Sequence, residues 1–166
     1  MTHNEALELF LTNRKNIDTV MDDMARRASS INADFALTIH FAGEYTDVSR
    51  DFNDRQQAMW ILKLGLNNMG KKLYGKGGVL KRSVFIERAN GVGLHAHIIF
   101  KNESALSDGE IKARLWEGWA KTRGAHKGTG MFNLDRVYDL SGWSDYMSKS
   151  MRHANWDNWD VSNSNI

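Results

Sequence analysis

The chain has 166 residues, 42% of them hydrophobic and 25% charged, with a formal net charge of +2, which suits one soluble domain folded around a single core. It contains no cysteine, excluding a disulfide framework and any thiolate metal site and fitting a reducing, cytoplasmic setting. No run approaches the ~18 apolar residues of a membrane span, and residues Met1 to Glu5 lack the basic-then-apolar start of a secretory signal, so no membrane partner is expected.

Residues 1–32 read as an N-terminal helical segment, with Leu7, Phe10, Leu11, Ile17, Val20, Met21 and Met24 close to helical spacing. Residues 33–153 form the main body and 154–166 a tail. A first strand is expected from Asp34 to Phe41, with Phe35, Leu37, Ile39 and Phe41 on one face and Ala36, Thr38 and His40 on the other. Asn53 and Gln56 have capping-box spacing at the start of a helix that carries Met59, Leu62, Leu66, Met69 and Leu73 on one stripe. The basic, glycine-rich run from Gly70 to Gly78 is expected to end that helix in a loop.

The next stretch carries chemistry. Ser83 to Phe100 comprises two apolar runs around Asn90-Gly91, a strong hairpin signal. His95 and His97 alternate with Ala96, so both imidazoles project from one face of the second strand and can share a metal ion. Glu87 supplies a third ligand only if the register allows it. A bare two-residue loop would set Glu87 on the wrong face, whereas a three-residue connection, Asn90-Gly91-Val92, sets it opposite His95. The odd-numbered connection is therefore predicted. The alternative is a pair of packed histidines with no metal, but a carboxylate inside an apolar segment is costly to bury without a partner.

Beyond the hairpin, Ser107 and Glu110 form a second capping-box pattern before a helix burying Ile111, Leu115, Trp116 and Trp119. Lys121 to Gly130 reads as a basic, glycine-rich loop, Met131 to Tyr138 as a strand, and Ser141 to Met151 as a final helix. The tail, with Trp156 and Trp159, shows no periodicity. The resulting order of helix, strand, helix, strand, strand, helix, strand, helix predicts an α+β domain, an antiparallel sheet with helices packed on it.

On the final helix, Tyr146 and Lys149 are i and i+3 neighbours. A nearby ammonium favours a phenolate nucleophile and also neutralises a phosphate. Alone, the pair is a weak motif and fits a surface tyrosine packed on a lysine stem better than a nucleophile.

Taken together, these motifs follow the order found in HUH endonucleases. The chain most closely resembles the small single-tyrosine rolling-circle replication initiators of single-stranded DNA viruses, phages and plasmids. Phe35 to Phe41 is similar to that family's first strand motif, His95-Ala96-His97 with Glu87 to its metal motif, and Tyr146 with Lys149 to its nucleophile helix. The resemblance covers about residues 33–152 and implies a ferredoxin-like relative of the α+β class. It implies Mn²⁺ or Mg²⁺ at Glu87, His95 and His97, with Tyr146 as nucleophile and Lys149 as a neutralising cation. It also implies nicking and rejoining of single-stranded DNA, at an origin hairpin, through a 5′-phosphotyrosine link. Two departures stand out: no helicase-like segment follows within these residues, and the final helix has a single tyrosine. Strand unwinding and synthesis would then fall to a host helicase and polymerase, in the host cytoplasm.

For contact with the strand, the sequence offers two basic segments, Lys71, Lys72, Lys76, Lys81 and Arg82, then Lys121, Arg123 and Lys127, with Phe41, Tyr45 and Trp143 as candidate stacking surfaces, each of which fits a core position more readily. Three other readings stay open: a single-tyrosine HUH transposase, a non-catalytic nucleic-acid-binding domain with an inert Tyr146, and an interaction protein that binds no metal.

Overall fold

The computed structural model describes residues 26, 30–42, 52–89, 93–140, 142, 143, 146, 160 and 162–165, with backbone alone for 52–54 and 89. The elements are β1 (Phe35–His40), α1 (Phe52–Tyr74), β2 (Lys81–Ala89), β3 (Gly93–Lys101), α2 (Asp108–Ala120) and β4 (Phe132–Arg136). The strands form one sheet in the order β2-β3-β1-β4, and every neighbouring pair is antiparallel. The fold is α+β, as the order of elements predicts. No described helix is long and apolar enough to cross a membrane.

Alternation within the strands gives the sheet two unlike faces. Phe35, Leu37 and Ile39 of β1, Val84 and Ile86 of β2, and Ala96, Ile98 and Phe100 of β3 turn toward α1 and α2, where Leu62, Leu66, Met69, Ile111, Leu115 and Trp119 complete the main core. Gly118 lies where the two helices meet: a Cβ there would stand 2.7 Å from the Met69 backbone. Ser107 caps α2 through the predicted reciprocal box, its hydroxyl accepting from the Glu110 N–H while the Glu110 carboxylate accepts from the Ser107 N–H.

The opposite face holds a smaller apolar cluster, Ala36, Phe85 and Ile99, covered by Ile31, Val137, Leu140 and Trp143. The rest of that face is polar and carries Thr38, His40, Glu87, His95 and His97, as the register requires.

Several boundaries differ from expectation. Helix α1 already includes Phe52, so Asn53 is not its cap, and it continues past Gly70 to Tyr74. Gly70 is a packing glycine, since a Cβ there would lie 2.5 Å from the Gly78 carbonyl oxygen. Lys71 and Lys72 therefore sit in the last helical turn, where cations favour the helix dipole. The final helix begins at Leu140, one residue before Ser141, with the Asp139 carboxylate accepting from the Gly142 N–H. The 121–130 segment is tied down by an isolated bridge between Phe41 and Ala125 and by the Asn68 side chain, which donates to Thr122 Oγ1.

The tail has a defined place. Asp160 and Asn165 donate backbone N–H groups to the Val84 and Arg82 carbonyls, while the Ser164 hydroxyl and Asn165 side chain accept from the Val84 and Arg82 N–H groups. Asp160, Ser164 and Asn165 thereby pair with the outer edge of β2, which would otherwise expose its hydrogen-bonding groups. Most of the N-terminal helical segment, together with Tyr45, Lys149, Trp156 and Trp159, lies outside the described residues.

Candidate metal centre

The β2–β3 register pairs Ala89 with Gly93 and Glu87 with His95, leaving residues 90–92 as the connection. This is the three-residue spacing that parity requires. Glu87, His95 and His97 converge on one face and are 8%, 6% and 4% exposed. Glu87 Oε2 stands 3.5 Å from His95 Nε2 and 3.4 Å from His97 Nε2, and one donor atom from each residue lies within 4.8 Å of the others.

Those separations test whether an ion fits. Two donors each about 2.1 Å from a common ion are about 3.0 Å apart at an octahedral angle and about 3.4 Å at a tetrahedral one, so the two carboxylate–imidazole separations match a tetrahedral ion and would close by about 0.5 Å around an octahedral one. A direct N–H···O bond prefers about 2.7 to 3.2 Å, so these contacts are long for hydrogen bonds between the groups themselves. Two imidazoles and one carboxylate, buried and convergent, form a group able to hold a divalent ion.

Strand β1 lies on the other side of β3 and adds residues to which the sequence reading assigned no role. Thr38 pairs with His97 and His40 with His95. The Thr38 hydroxyl is 3.0 Å from His97 Nδ1, and His95 Nδ1 is 3.2 Å from the Gly93 carbonyl oxygen. The His40 ring stacks on His95 with centroids 5.4 Å apart. Burial, aided by the neighbouring His95, His126 and His97, pushes the His40 imidazole down to about 4, so it is neutral at neutral pH. Alternation along β1 already placed Thr38 and His40 on one face. What the sequence lacked was the strand order that sets this face beside the histidines.

Tyr146 meets the same site from the final helix. Its ring stands edge-on to His97 with centroids 5.5 Å apart, and Trp143 packs against it at 5.8 Å. Tyr146 remains 48% exposed and borders a shallow apolar cleft lined by Tyr138, Asp139, Gly142 and Trp143. No protein-family model matches this chain, and neither a curated protein nor a solved structure does.

The two basic segments are placed differently. The His126 N–H donates to the His40 carbonyl and the His40 N–H to the Met131 carbonyl, so the loop bearing Arg123 and Lys127 is anchored beside the triad. Arg123 and Lys127 are exposed and have no ion pair among the described residues, whereas Lys121 pairs with Glu117. Lys81 instead lies roughly 20 Å along β2 from Glu87, at about 3.3 Å per residue. At that end Lys72 pairs with Glu117 and Lys81 with Glu103, while Lys71 and Lys76 are exposed.

One expectation needs correction, and one open choice is decided. Arg82 is 8% exposed, and its guanidinium donates to the Asn163 and Leu80 carbonyls, so it secures the tail and presents no cation to a ligand. Phe41 is fully buried against Trp119 and provides no stacking surface, because it belongs to the helix-facing parity of β1. Trp143 is half-buried beside Tyr146, and Tyr138, not nominated from sequence as a stacking surface, is 90% exposed.

Proposed function

We propose that this protein is a metal-dependent HUH-type endonuclease that nicks and rejoins single-stranded DNA through a phosphotyrosine on Tyr146, acting as a rolling-circle replication initiator. The observation that carries the reading is the contact between Tyr146 and His97. A tyrosine distant in sequence, on a separate helix, meets a buried carboxylate–imidazole triad, and an exposed, aromatic-rimmed cleft opens beside it.

A bound Mn²⁺ or Mg²⁺ at Glu87, His95 and His97 would supply Lewis-acid polarisation of a non-bridging phosphate oxygen. Tyr146 Oη attacks phosphorus, forming the P–Oη bond as the P–O3′ bond breaks. The phenolic proton is lost to solvent, and the departing 3′ oxygen takes one up to become a hydroxyl. The bond energy is retained in the 5′-phosphotyrosine, so attack by a 3′-hydroxyl reverses the step and rejoins the strand. Lys149, by the family resemblance, would offset phosphate charge. Arg123 and Lys127 would neutralise neighbouring phosphates, and Tyr138 and Trp143 would stack the bases that flank the scissile position.

The decisive experiment incubates the protein with mixed-sequence single-stranded DNA and Mn²⁺ and measures intact mass. A covalent adduct is expected with the wild type and none with Tyr146→Phe, which loses only the hydroxyl. An adduct that survives Tyr146→Phe would assign the nucleophile elsewhere. DNA hydrolysis without any adduct would remove the phosphotyrosine mechanism.

A further inference from the structure

An imidazole presents one nitrogen to an ion, and the partner of the other nitrogen fixes which tautomer is available. The two histidines of the triad solve this differently. His95 Nδ1 faces the Gly93 carbonyl oxygen at 3.2 Å. A carbonyl only accepts, so Nδ1 carries the proton and the Nε2 lone pair points toward Glu87. His97 Nδ1 faces a hydroxyl, Thr38 Oγ1, at 3.0 Å, and a hydroxyl both donates and accepts.

We infer that Thr38 is the positioning residue of this centre, its hydroxyl serving both tautomers of His97. With Nε2 turned to an ion, Nδ1–H donates to Thr38 Oγ1. With the proton on Nε2, facing Glu87 Oε2 at 3.4 Å, the hydroxyl rotates and donates to Nδ1. His97 Nδ1 thus keeps a partner whether an ion is gained or released, which a carbonyl in place of Thr38 would not permit. The strand order enforces this arrangement: β1 is the inner neighbour of β3, Thr38 is the cross-strand partner of His97, and its parity sets the hydroxyl on the ligand face. The inference rests on reading Glu87, His95 and His97 as a metal centre.

The test compares the wild-type full chain with Thr38→Val and Thr38→Ser. Valine keeps the β-branched shape that suits a strand and deletes the hydroxyl, whereas serine keeps the hydroxyl and deletes the methyl. Calorimetric titration with Mn²⁺ should show Thr38→Val weakened about 10- to 100-fold, the usual effect of losing a ligand's hydrogen-bonding partner, with Thr38→Ser close to wild type. In ¹⁵N-histidine spectra, Mg²⁺-loaded wild type and Thr38→Ser should hold His97 with the proton on Nδ1. At an Mg²⁺ concentration that saturates the wild type, Thr38→Val should leave part of its His97 uncoordinated with the proton on Nε2, while His95 keeps its proton on Nδ1.

Equal Mn²⁺ affinity in wild type and Thr38→Val would overturn the role of Thr38. Equal weakening of both variants would also overturn it, assigning the effect to packing of the methyl group. Wild-type protein that binds neither ion would overturn the metal centre itself. If Thr38→Val fails to fold, Thr38→Ala is compared with Thr38→Ser, since the two differ by the hydroxyl alone, and equal Mn²⁺ affinity would overturn the role of Thr38.

Discussion

Replacing Glu87 with glutamine tests the centre at its most informative atom. Glu87 Oε2 is the common neighbour of both imidazole nitrogens, at 3.5 and 3.4 Å, so Glu87→Gln removes one ligand and the only negative charge of the group while preserving shape. For the wild type, an ion at 100 times its dissociation constant stabilises the fold by about 2.7 kcal/mol, provided the unfolded chain does not bind it. In a chain of this size each kcal/mol raises the melting temperature by about 2 to 4 °C, giving a shift of about 5 to 11 °C between chelator and saturating Mn²⁺. The glutamine variant should shift by less than about 2 °C at the same concentration, because a neutral amide oxygen is a much poorer ligand than a carboxylate. In chelator its melting temperature should stay within about 1 kcal/mol equivalent of wild type, since the 3.4 to 3.5 Å contacts are long for strong hydrogen bonds. Scanning calorimetry of both proteins with EDTA, Mn²⁺ and Mg²⁺ gives the comparison. A Glu87→Gln protein with the full Mn²⁺-dependent shift would refute the assignment of Glu87 as a ligand.

Other consequences concern the scaffold and the strand path. Gly118→Ala drives a methyl group into the Met69 backbone at 2.7 Å and should cost about 1 to 3 kcal/mol in urea unfolding, whereas Gly109→Ala in the same helix meets nothing within 4 Å and should be neutral or stabilising by up to about 1 kcal/mol. Asp160→Ala removes the acceptor of bonds from Ser162 and from the Asn163 backbone and side chain; it should cost about 1 to 3 kcal/mol and increase hydrogen exchange along β2. Lys127→Ala should lower the salt slope of single-strand binding by about 0.7 without altering stability. Arg82→Ala should do the reverse, because its guanidinium is buried on the tail.

The hairpin and its ligands were legible because local information determines them. Apolar runs, an Asn-Gly connection and the two-residue period of a strand leave only one parity in which Glu87 faces His95. The faces of β1 and the Ser107 cap were legible for the same reason. What escaped was contact between distant segments. Gly70 resembles a helix stop, yet its missing side chain answers to Gly78. Arg82 looks like one more cation in a basic run, yet the register of β2 turns it toward Asn163. The place of the tail depends on which strand ends at an edge, a property of sheet order that no local pattern encodes.

The same distinction explains why the site becomes interpretable only when folded. In sequence, a tyrosine with a lysine one turn away is a weak motif, and two alternate histidines on a strand are hardly stronger. The sheet order β2-β3-β1-β4 sets the His95–His97 strand between Glu87 on one side and Thr38 with His40 on the other. The helix that begins after β4 then crosses the same face and delivers Tyr146 to His97. Since α1 and α2 occupy the opposite face, the ligand face stays polar at its centre and remains reachable through the cleft beside Tyr146. A buried ion pair serving stability alone would not need an exposed tyrosine at its mouth, and a stacking tyrosine alone would not need three convergent donors beneath it. Their juxtaposition is what makes metal-assisted phosphoryl transfer the reading to test first.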